Sequence, residues 1–95
     1  MALTFEWDGR KAATNQQKHG VSFEEAITVF SDPLARFLPD EPHSSSEDRF
    51  VLLGRSSADR FLAVMFTDRG AERVHLFSAR QATRRERRQY EESSR

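Results

Sequence analysis

The run Phe61-Leu62-Ala63-Val64-Met65-Phe66 is the feature of this sequence that most constrains its fold. Every residue in it is apolar, so a strand built from it would have no face suited to water. Such a strand must be flanked by other strands and covered on both sides. The run therefore predicts the central strand of a sheet.

Alternation of apolar and polar residues predicts further strands around it. Residues 73–78 place Val74 and Leu76 on one face, and Arg73, His75 and Phe77 on the other, which is a candidate functional surface. Turn-forming residues at 56–59 and 68–71 indicate hairpins. The other predicted strands are Leu3–Trp7, Leu34–Leu38 and Phe50–Gly54.

Capping signals predict helices near the N-terminus. Asp8 can cap a helix over residues 9–19, and Gly20 suits the left-handed position at its end. Ser22 and Glu25 have the spacing of a capping box, in which Glu25 would reach back to the backbone of Ser22. The apolar residues of this second helix recur at helical spacing before Asp32-Pro33 ends it: Phe23, Ala26, Ile27 and Phe30.

A polar helix is predicted to close the chain, with two possible starts. Thr83 and Glu86 form one potential capping box, and Ser78 with Gln81 is the competing start. The expected fold class is α+β: an antiparallel sheet of about four strands with two N-terminal helices and a C-terminal helix. Residues 1–95 are expected to form a single domain, with a mobile loop at residues 40–48.

Charge is distributed unevenly along a chain whose net charge is zero. Residues 1–48 hold 4 basic and 9 acidic side chains, whereas residues 49–95 hold 11 basic and 6 acidic ones. Of the 15 basic residues 13 are arginine, whose planar guanidinium pairs bidentately with phosphate or carboxylate. At about 100° per residue, a helix would place Arg80, Arg84, Arg87 and Arg88 in one stripe, which predicts either a solvated helix face or a grip on RNA or an acidic partner.

Several classes of protein are excluded by composition. The chain has no cysteine, so it forms no disulfide and uses no thiolate. It has no apolar stretch near the ~20 residues of a membrane helix and begins without a signal peptide. A cytoplasmic protein is therefore expected. The spacing of His19, His43 and His75 matches no zinc site, and no cofactor is expected.

An ordered set of short motifs resembles the BrnT family of toxins from type II toxin–antitoxin systems. The set covers residues 5 to 92, nearly the whole chain. One departure is Val74-His75-Leu76-Phe77, where the family more often has aliphatic residues, so His75 is not a family motif residue. The motifs are Phe5-Glu6-Trp7-Asp8, Lys11, Asn15, Lys18–Ala26, Phe30, Asp32-Pro33, His43-Ser44, Glu47, Arg49, Gly54-Arg55-Ser56, Thr67, Arg69-Gly70, Arg73, Ser78-Ala79-Arg80, Ala82-Thr83, Glu86-Arg87 and Tyr90-Glu91.

The resemblance implies a ribonuclease toxin of RelE-like architecture that inhibits translation. It also implies neutralisation by a BrnA-like antitoxin with a ribbon-helix-helix part, in an assembly where antitoxins dimerise. The toxin–antitoxin complex would repress its own operon, so operator DNA would be contacted only through the antitoxin. RNA would be the substrate, and no membrane is involved.

Cleavage of RNA without metal requires a base for the 2′-hydroxyl, cations for the phosphorane and an acid for the leaving oxygen. Arg80 and Arg84 could clamp the phosphate. Lys18 and His19 end the first helix, where the helix dipole favours cations, and His19 could act as acid or base. Further catalytic candidates are Glu47 and Glu86 as bases and Tyr90 as a stacking or proton-donating group. The candidates for RNA binding are Arg49, Arg55, Arg69, Arg73, Arg84, Arg87 and Arg88.

Structural roles for the same residues stay open at the level of sequence. His19 could only cap carbonyls, Tyr90 could pack on the sheet, and Glu86 could cap a helix or pair with arginine. Arg80 could pair with Glu47. The main alternative function is a non-catalytic module that binds RNA or an antitoxin and acts as co-repressor. A DNA-binding protein is disfavoured because no helix-turn-helix pattern is present.

Overall fold

The computed structural model describes residues 3–39 and 49–93, which form a mixed sheet with helices. The predicted loop at 40–48, with His43 and Glu47, lies outside the described residues. In chain order the elements are β1 (Thr4–Trp7), α1 (Gly9–His19), α2 (Phe23–Ile27), a 3₁₀ helix (Thr28–Ser31), β2 (Arg36–Pro39), β3 (Arg49–Arg55), β4 (Phe61–Gly70), β5 (Arg73–Gln81) and α3 (Arg84–Ser93).

The sheet has five strands in the order β1-β5-β4-β3-β2. The central position of β4, predicted from its apolar run, is confirmed. The prediction of an antiparallel, RelE-like sheet of about four strands is only partly right, because a fifth strand is present and β1 runs parallel to β5, with Thr4 opposite Arg73 and Trp7 opposite Leu76. Local alternation predicts that a strand exists but not its partner, and this partner lies far away in the chain.

Helix α1 begins and ends where its caps predict. The carboxylate of Asp8 accepts from the backbone N–H of Arg10 at 2.7 Å, and Gly20 takes the left-handed conformation at φ 67°. Lys18 and His19 occupy the last turn, as expected. The two caps thus define a helix with two basic side chains, Lys18 and His19, at its C-terminal end.

The second helical segment is shorter and tighter than predicted. After Ile27 the α-helix gives way to a 3₁₀ helix that ends at Ser31. Ser22 caps the segment by accepting from the backbone N–H of Glu25 at 3.0 Å. The expected return contact of Glu25 is wrong, because the Glu25 carboxylate accepts instead from Arg60 Nε at 3.0 Å and Ser56 Oγ at 2.6 Å.

The main core lies between one face of the sheet and the helical segment from Val21 to Phe30. Phe66 is its aromatic centre, with Phe30 edge-on at 5.2 Å and Phe50 stacked at 5.6 Å between ring centroids. Offset and edge-on ring pairs contribute beyond the area that they bury. A smaller cluster of Val51, Leu53 and Ala63 lies on the opposite sheet face.

The β4–β5 hairpin turns one step later than predicted. Gly70 is paired with Arg73, so the turn consists of Ala71 and Glu72, both with positive φ (52° and 63°). The earlier turn at 56–59 is confirmed by the hydrogen bond from Asp59 N to Ser56 O at 2.9 Å.

Helix α3 uses the start at Thr83. Its hydroxyl accepts from Glu86 N at 3.1 Å, while Glu86 Oε1 accepts from Thr83 N at 2.8 Å, so this capping box is complete. The predicted helical stripe of arginines is wrong in one member, because Arg80 belongs to β5. Arg84, Arg87 and Arg88 are exposed on α3.

Candidate functional site

A β-bulge in β5 determines which side chains lie on the second face of the sheet. Leu76 is opposite Phe66 and Ser78 is opposite Met65, which leaves Phe77 as the extra residue. Two successive side chains, Phe77 and Ser78, therefore follow Leu76 before the next core residue, Ala79. Bulges redirect side chains in this way. The face away from the main core carries His75 and Phe77, as predicted, and also Ser78 and Arg80.

A cavity of about 330 Å³ lies between α1 and this part of β5. Four basic residues of α1 line it: Arg10, Lys11, Lys18 and His19. All four are exposed, and their side chains form no ion pair with any residue in the described ranges. No carboxylate of those ranges lines the cavity. Its electrostatic character is therefore set by cations, which attract anionic ligands.

The sheet side of the cavity is formed by Asn15, Phe77 and Ser78. Asn15 is only 6% exposed. Its Oδ1 accepts from Ala79 N at 3.0 Å, and its Nδ2 donates to Ala79 O at 2.8 Å and to Val21 O at 3.0 Å. β1 pairs with β5 only as far as Leu76, so the Asn15 amide satisfies edge groups of β5 beyond the end of β1. This contact fixes α1, with its cations, against the strand.

Arg80 and Glu86, which do not line the cavity, form a bidentate ion pair. Arg80 Nη1 donates to Glu86 Oε1 at 2.7 Å and Nη2 donates to Oε2 at 2.9 Å. The Arg80 hydrogen bond is the largest cause of a lowered pKa for Glu86, and it outweighs partial burial. Glu86 therefore remains ionised and is a weak base, while Arg80 is held in one orientation.

The strand places Arg80 and Ser78 on the same face of the sheet. Their partners on β4 are Ala63 and Met65, two residues apart, so the Cα atoms of Ser78 and Arg80 are roughly 7 Å apart. Ser78 lines the cavity together with Lys18 and His19. These basic groups of α1 and the guanidinium of β5 thus flank a common stretch of strand.

Tyr90, in the second half of α3, is buried and makes a polar contact. It is 5% exposed, and its hydroxyl donates to Asp32 Oδ2 at 2.9 Å. Burial is the largest cause of its raised pKa, and the hydrogen bond to Asp32 adds to it. Phe61 packs edge-on against its ring at 5.0 Å. Tyr90 therefore anchors α3, and a catalytic role would require this contact to open.

Asp32, which accepts the hydrogen bond from Tyr90, also binds two other parts of the chain. Besides the Tyr90 hydroxyl it accepts from Arg55 N at 2.8 Å and Leu34 N at 2.9 Å. Burial alone would raise the pKa of Asp32, but these hydrogen bonds together lower it. Gly54 leaves room for the carboxylate, because a Cβ there would lie 2.9 Å from Asp32 Oδ2 and from Val29 Cγ1.

The arginines predicted to bind RNA are spread over several surfaces. The guanidinium of Arg49 lies over the ring of Phe77 at 4.8 Å, next to the cavity. Arg55 and Arg87 each lie 4.4 Å from the ring centre of Phe61. They also form ion pairs, Arg55 with Asp59 and Arg87 with Glu91. The others lie at the β4–β5 hairpin (Arg69 and Arg73) or exposed on α3 (Arg84 and Arg88).

Sequence reasoning did not name five polar residues of the cavity as site residues: Arg10, Lys11, Thr14, Asn15 and Ser78. A signal was present, because residues 11, 14, 15 and 18 share one face of a helix at i, i+3, i+4 and i+7 spacing. It also missed Arg60, which donates to both Glu25 and the carbonyl of Gly20 at the end of α1. Within residues 3–39 and 49–93, no three His, Asp or Glu side chains are placed to share a metal ion. No helix of those ranges is long and apolar enough to cross a membrane.

Comparisons with known proteins agree on one family. A family model described as "Ribonuclease toxin, BrnT, of type II toxin-antitoxin system" matches residues 7–86. The crystal structure of the Brucella abortus ribonuclease toxin BrnT is similar to this one, with a TM-score of 0.67 and 26% sequence identity, and the match covers 87% of this chain and 100% of that chain. No match was found among curated proteins.

Proposed function

Because this chain belongs to the BrnT family of ribonuclease toxins of type II toxin–antitoxin systems, we propose that it cleaves RNA at the face of β5 beside the cationic cavity. The observation that carries this assignment is the position of Ser78, between Arg80 on the same strand and the Lys18-His19 end of α1. That arrangement presents cations from two elements to one phosphodiester. The cleavage is endonucleolytic and needs no metal.

The reaction uses the ribose 2′-hydroxyl as nucleophile. Its oxygen attacks the adjacent phosphorus, its proton passes to a base, and the bond from phosphorus to O5′ breaks. The leaving O5′ takes up a proton, which gives a 2′,3′-cyclic phosphate and a free 5′-hydroxyl. Cations placed where negative charge develops stabilise this transition state more than the ground state.

Arg80 stabilises the phosphorane, and Glu86 positions Arg80. The two bonds to Glu86 fix the plane of the Arg80 guanidinium, a planar group whose geometry suits a phosphate. The lowered pKa of Glu86, caused chiefly by the Arg80 hydrogen bond, argues for a positioning role rather than that of a general base. Lys18 supplies the second positive charge from α1.

His19 is the proton-transfer candidate among the described residues. It is exposed at the cavity, and an imidazole can give or take a proton near neutral pH. Glu47, which lies outside the described residues, is the second candidate. Tyr90 contributes by holding α3, through which Glu86 orients Arg80.

The partner in this proposal is a BrnA-like antitoxin with a ribbon-helix-helix part, as the family's type II toxin–antitoxin description supports. Binding of the antitoxin neutralises the nuclease, and the complex contacts operator DNA only through the antitoxin. The free toxin acts in the cytoplasm, where RNA cleavage stops translation.

Purified protein without antitoxin tests the proposal against total RNA in buffer containing EDTA. Cleavage that yields 2′,3′-cyclic phosphate ends is expected, and Arg80→Ala should abolish it while the variant remains folded. Arg85→Ala, which removes an exposed arginine of α3 outside the cavity, is the control. Folded protein that binds RNA in a salt-dependent manner but yields no product would support the non-catalytic alternative instead.

A further inference from the structure

The cavity between α1 and β5 has two chemically different walls. Its outer wall is cationic, with Arg10, Lys11 and Lys18 exposed along one side of α1. Its inner wall includes the half-buried aromatic ring of Phe77. A ligand that fits both walls must have an anionic end and a flat end that can lie against a ring.

The size of the cavity limits what can enter. A volume of about 330 Å³ is near the lower end of the roughly 300–1,000 Å³ found for small-ligand sites. A site of this size suits a single small ligand such as one nucleotide. Bases in a duplex are paired and stacked on their neighbours, so only an unpaired base can turn into such a site.

The surroundings of Phe77 suit a nucleobase. Arg49 lies over its ring at 4.8 Å, and aromatic rings and guanidinium planes are the surfaces on which unpaired bases stack. Ser78 adds a hydroxyl beside the ring, held by Asn15 at 3.3 Å. The β-bulge places the ring and this hydroxyl side by side on one face.

We propose that this cavity is a subsite for one unpaired nucleotide of the RNA, with its base on Phe77 and its phosphate on the cations of α1. Single-stranded RNA is therefore the substrate class, and duplex RNA is excluded. The proposal rests on the proposed nuclease function and deepens it, because the cavity adjoins the strand that carries Arg80.

Binding of a short oligonucleotide tests the subsite separately from cleavage. The probe is a fluorescein-labelled single strand with 2′-fluoro sugars, which has no 2′-hydroxyl and cannot react, and the same probe annealed to its complement is the duplex control. Fluorescence anisotropy should show single-strand affinity at least about tenfold above duplex affinity, the size of effect that one base stack provides.

Four variants, two of them controls, separate the contributions of the two walls. Phe77→Leu should weaken single-strand binding by about tenfold, whereas Phe77→Tyr, which keeps the ring, should bind like the wild type. Lys11→Ala, an exposed change that leaves the core intact, should reduce the slope of log affinity against log salt by about 0.7. Arg85→Ala removes the same charge from α3 and should leave that slope unchanged.

Equal affinity for single strand and duplex overturns the subsite, and so does a folded Phe77→Leu protein that binds like the wild type. Cleavage of total RNA by the same preparations reports on the nuclease function independently. If the RNA is cut but Phe77→Leu does not change binding, the subsite proposal fails and the nuclease proposal stands. If the RNA stays intact but single-strand binding responds to the variants as expected, the nuclease proposal fails and the subsite proposal stands.

Discussion

The side chain of Asn15 and the backbone of Ala79 are joined by two hydrogen bonds, one in each direction, at 3.0 Å and 2.8 Å. The amide thus substitutes for the next residue of an absent strand at the edge of β5. Replacing Asn15 by Ala leaves buried backbone groups of β5 unpaired, so we expect a loss of about 2–4 kcal/mol in the free energy of unfolding.

Urea unfolding measures this loss. Asn15→Asp should be destabilised as well, because a carboxylate keeps the acceptor for Ala79 N but has no donor for the two carbonyls. Gln17→Ala, an exposed change in the same helix, is the control. If Asn15→Ala unfolds at the urea concentration of the wild type, the amide does not hold α1 on the sheet.

Arg80 and Lys18 are expected to be required for toxicity. Arg80→Ala and Lys18→Ala should each restore growth to cells that express the protein, and Arg80→Lys should reduce RNA cleavage by roughly tenfold or more, because an ammonium cannot replace a bidentate guanidinium. The Arg80–Glu86 pair is partly exposed, so its loss should cost no more than about 1 kcal/mol of stability.

Growth curves at matched expression levels, with thermal unfolding of each variant, provide the measurement. Arg85→Ala should stay as toxic as the wild type. Persistent toxicity of both Arg80→Ala and Lys18→Ala at wild-type levels would remove these residues from the site.

Gly54 is expected to tolerate no side chain. An added Cβ would lie 2.9 Å from Asp32 Oδ2 and 2.9 Å from Val29 Cγ1, both held in packed surroundings. Gly54→Ala should therefore lower the free energy of unfolding by about 1–3 kcal/mol.

Gly9→Ala is the matched control, because no atom lies within 4 Å of the added Cβ and alanine favours a helix over glycine by up to about 1 kcal/mol. Thermal melts of both variants make the comparison. A Gly54→Ala protein as stable as Gly9→Ala would mean that the Asp32 contact is not close-packed.

Stability is expected to fall in acid. Hydrogen bonds from Arg60 and Arg80 are the largest causes of the lowered pKa values of Glu25 and Glu86, and hydrogen bonds outweigh burial for Asp32. The unfolded chain, with ordinary values of 4.5 for Glu and 3.8 for Asp, therefore binds more protons than the folded chain in this range. The stabilisation is complete above these values and is lost as the pH falls through the lower folded values.

Urea unfolding between neutral pH and about pH 3 checks this window. Asp32→Asn should be less stable than the wild type at neutral pH and should lose less on acidification. Glu24→Gln, an exposed change one residue from Glu25, is the control. The explanation fails if Asp32→Asn and the wild type lose equal stability.

The parts of the fold that the sequence predicts are those with local causes. Asp8 and Gly20 bound α1 because capping depends on neighbouring backbone groups. The unbroken apolar run of β4 likewise predicts burial on both faces. No local signal indicates the partner of β1. The pairing of Thr4 with Arg73 joins residues that are far apart in the chain, so it depends on the fold as a whole.

The site was harder to predict because one extra residue changes it. Strict alternation along β5 would place Arg80 on the face of Val74 and Leu76, in the core. The bulge at Phe77 moves Arg80 to the opposite face, and no feature of the sequence indicates it. Lys11 likewise lines the cavity because α1 is oriented with Asn15 toward the sheet.

The parallel pairing of β1 with β5 also has a consequence for when the cavity can form. The walls of the cavity come from residues 10–19 and residues 77–78, so they meet only after most of the polypeptide has been synthesised. Contacts between such distant positions require closure of a long stretch of chain, which slows folding. A translation product that ends before β5 therefore lacks the strand wall of the cavity.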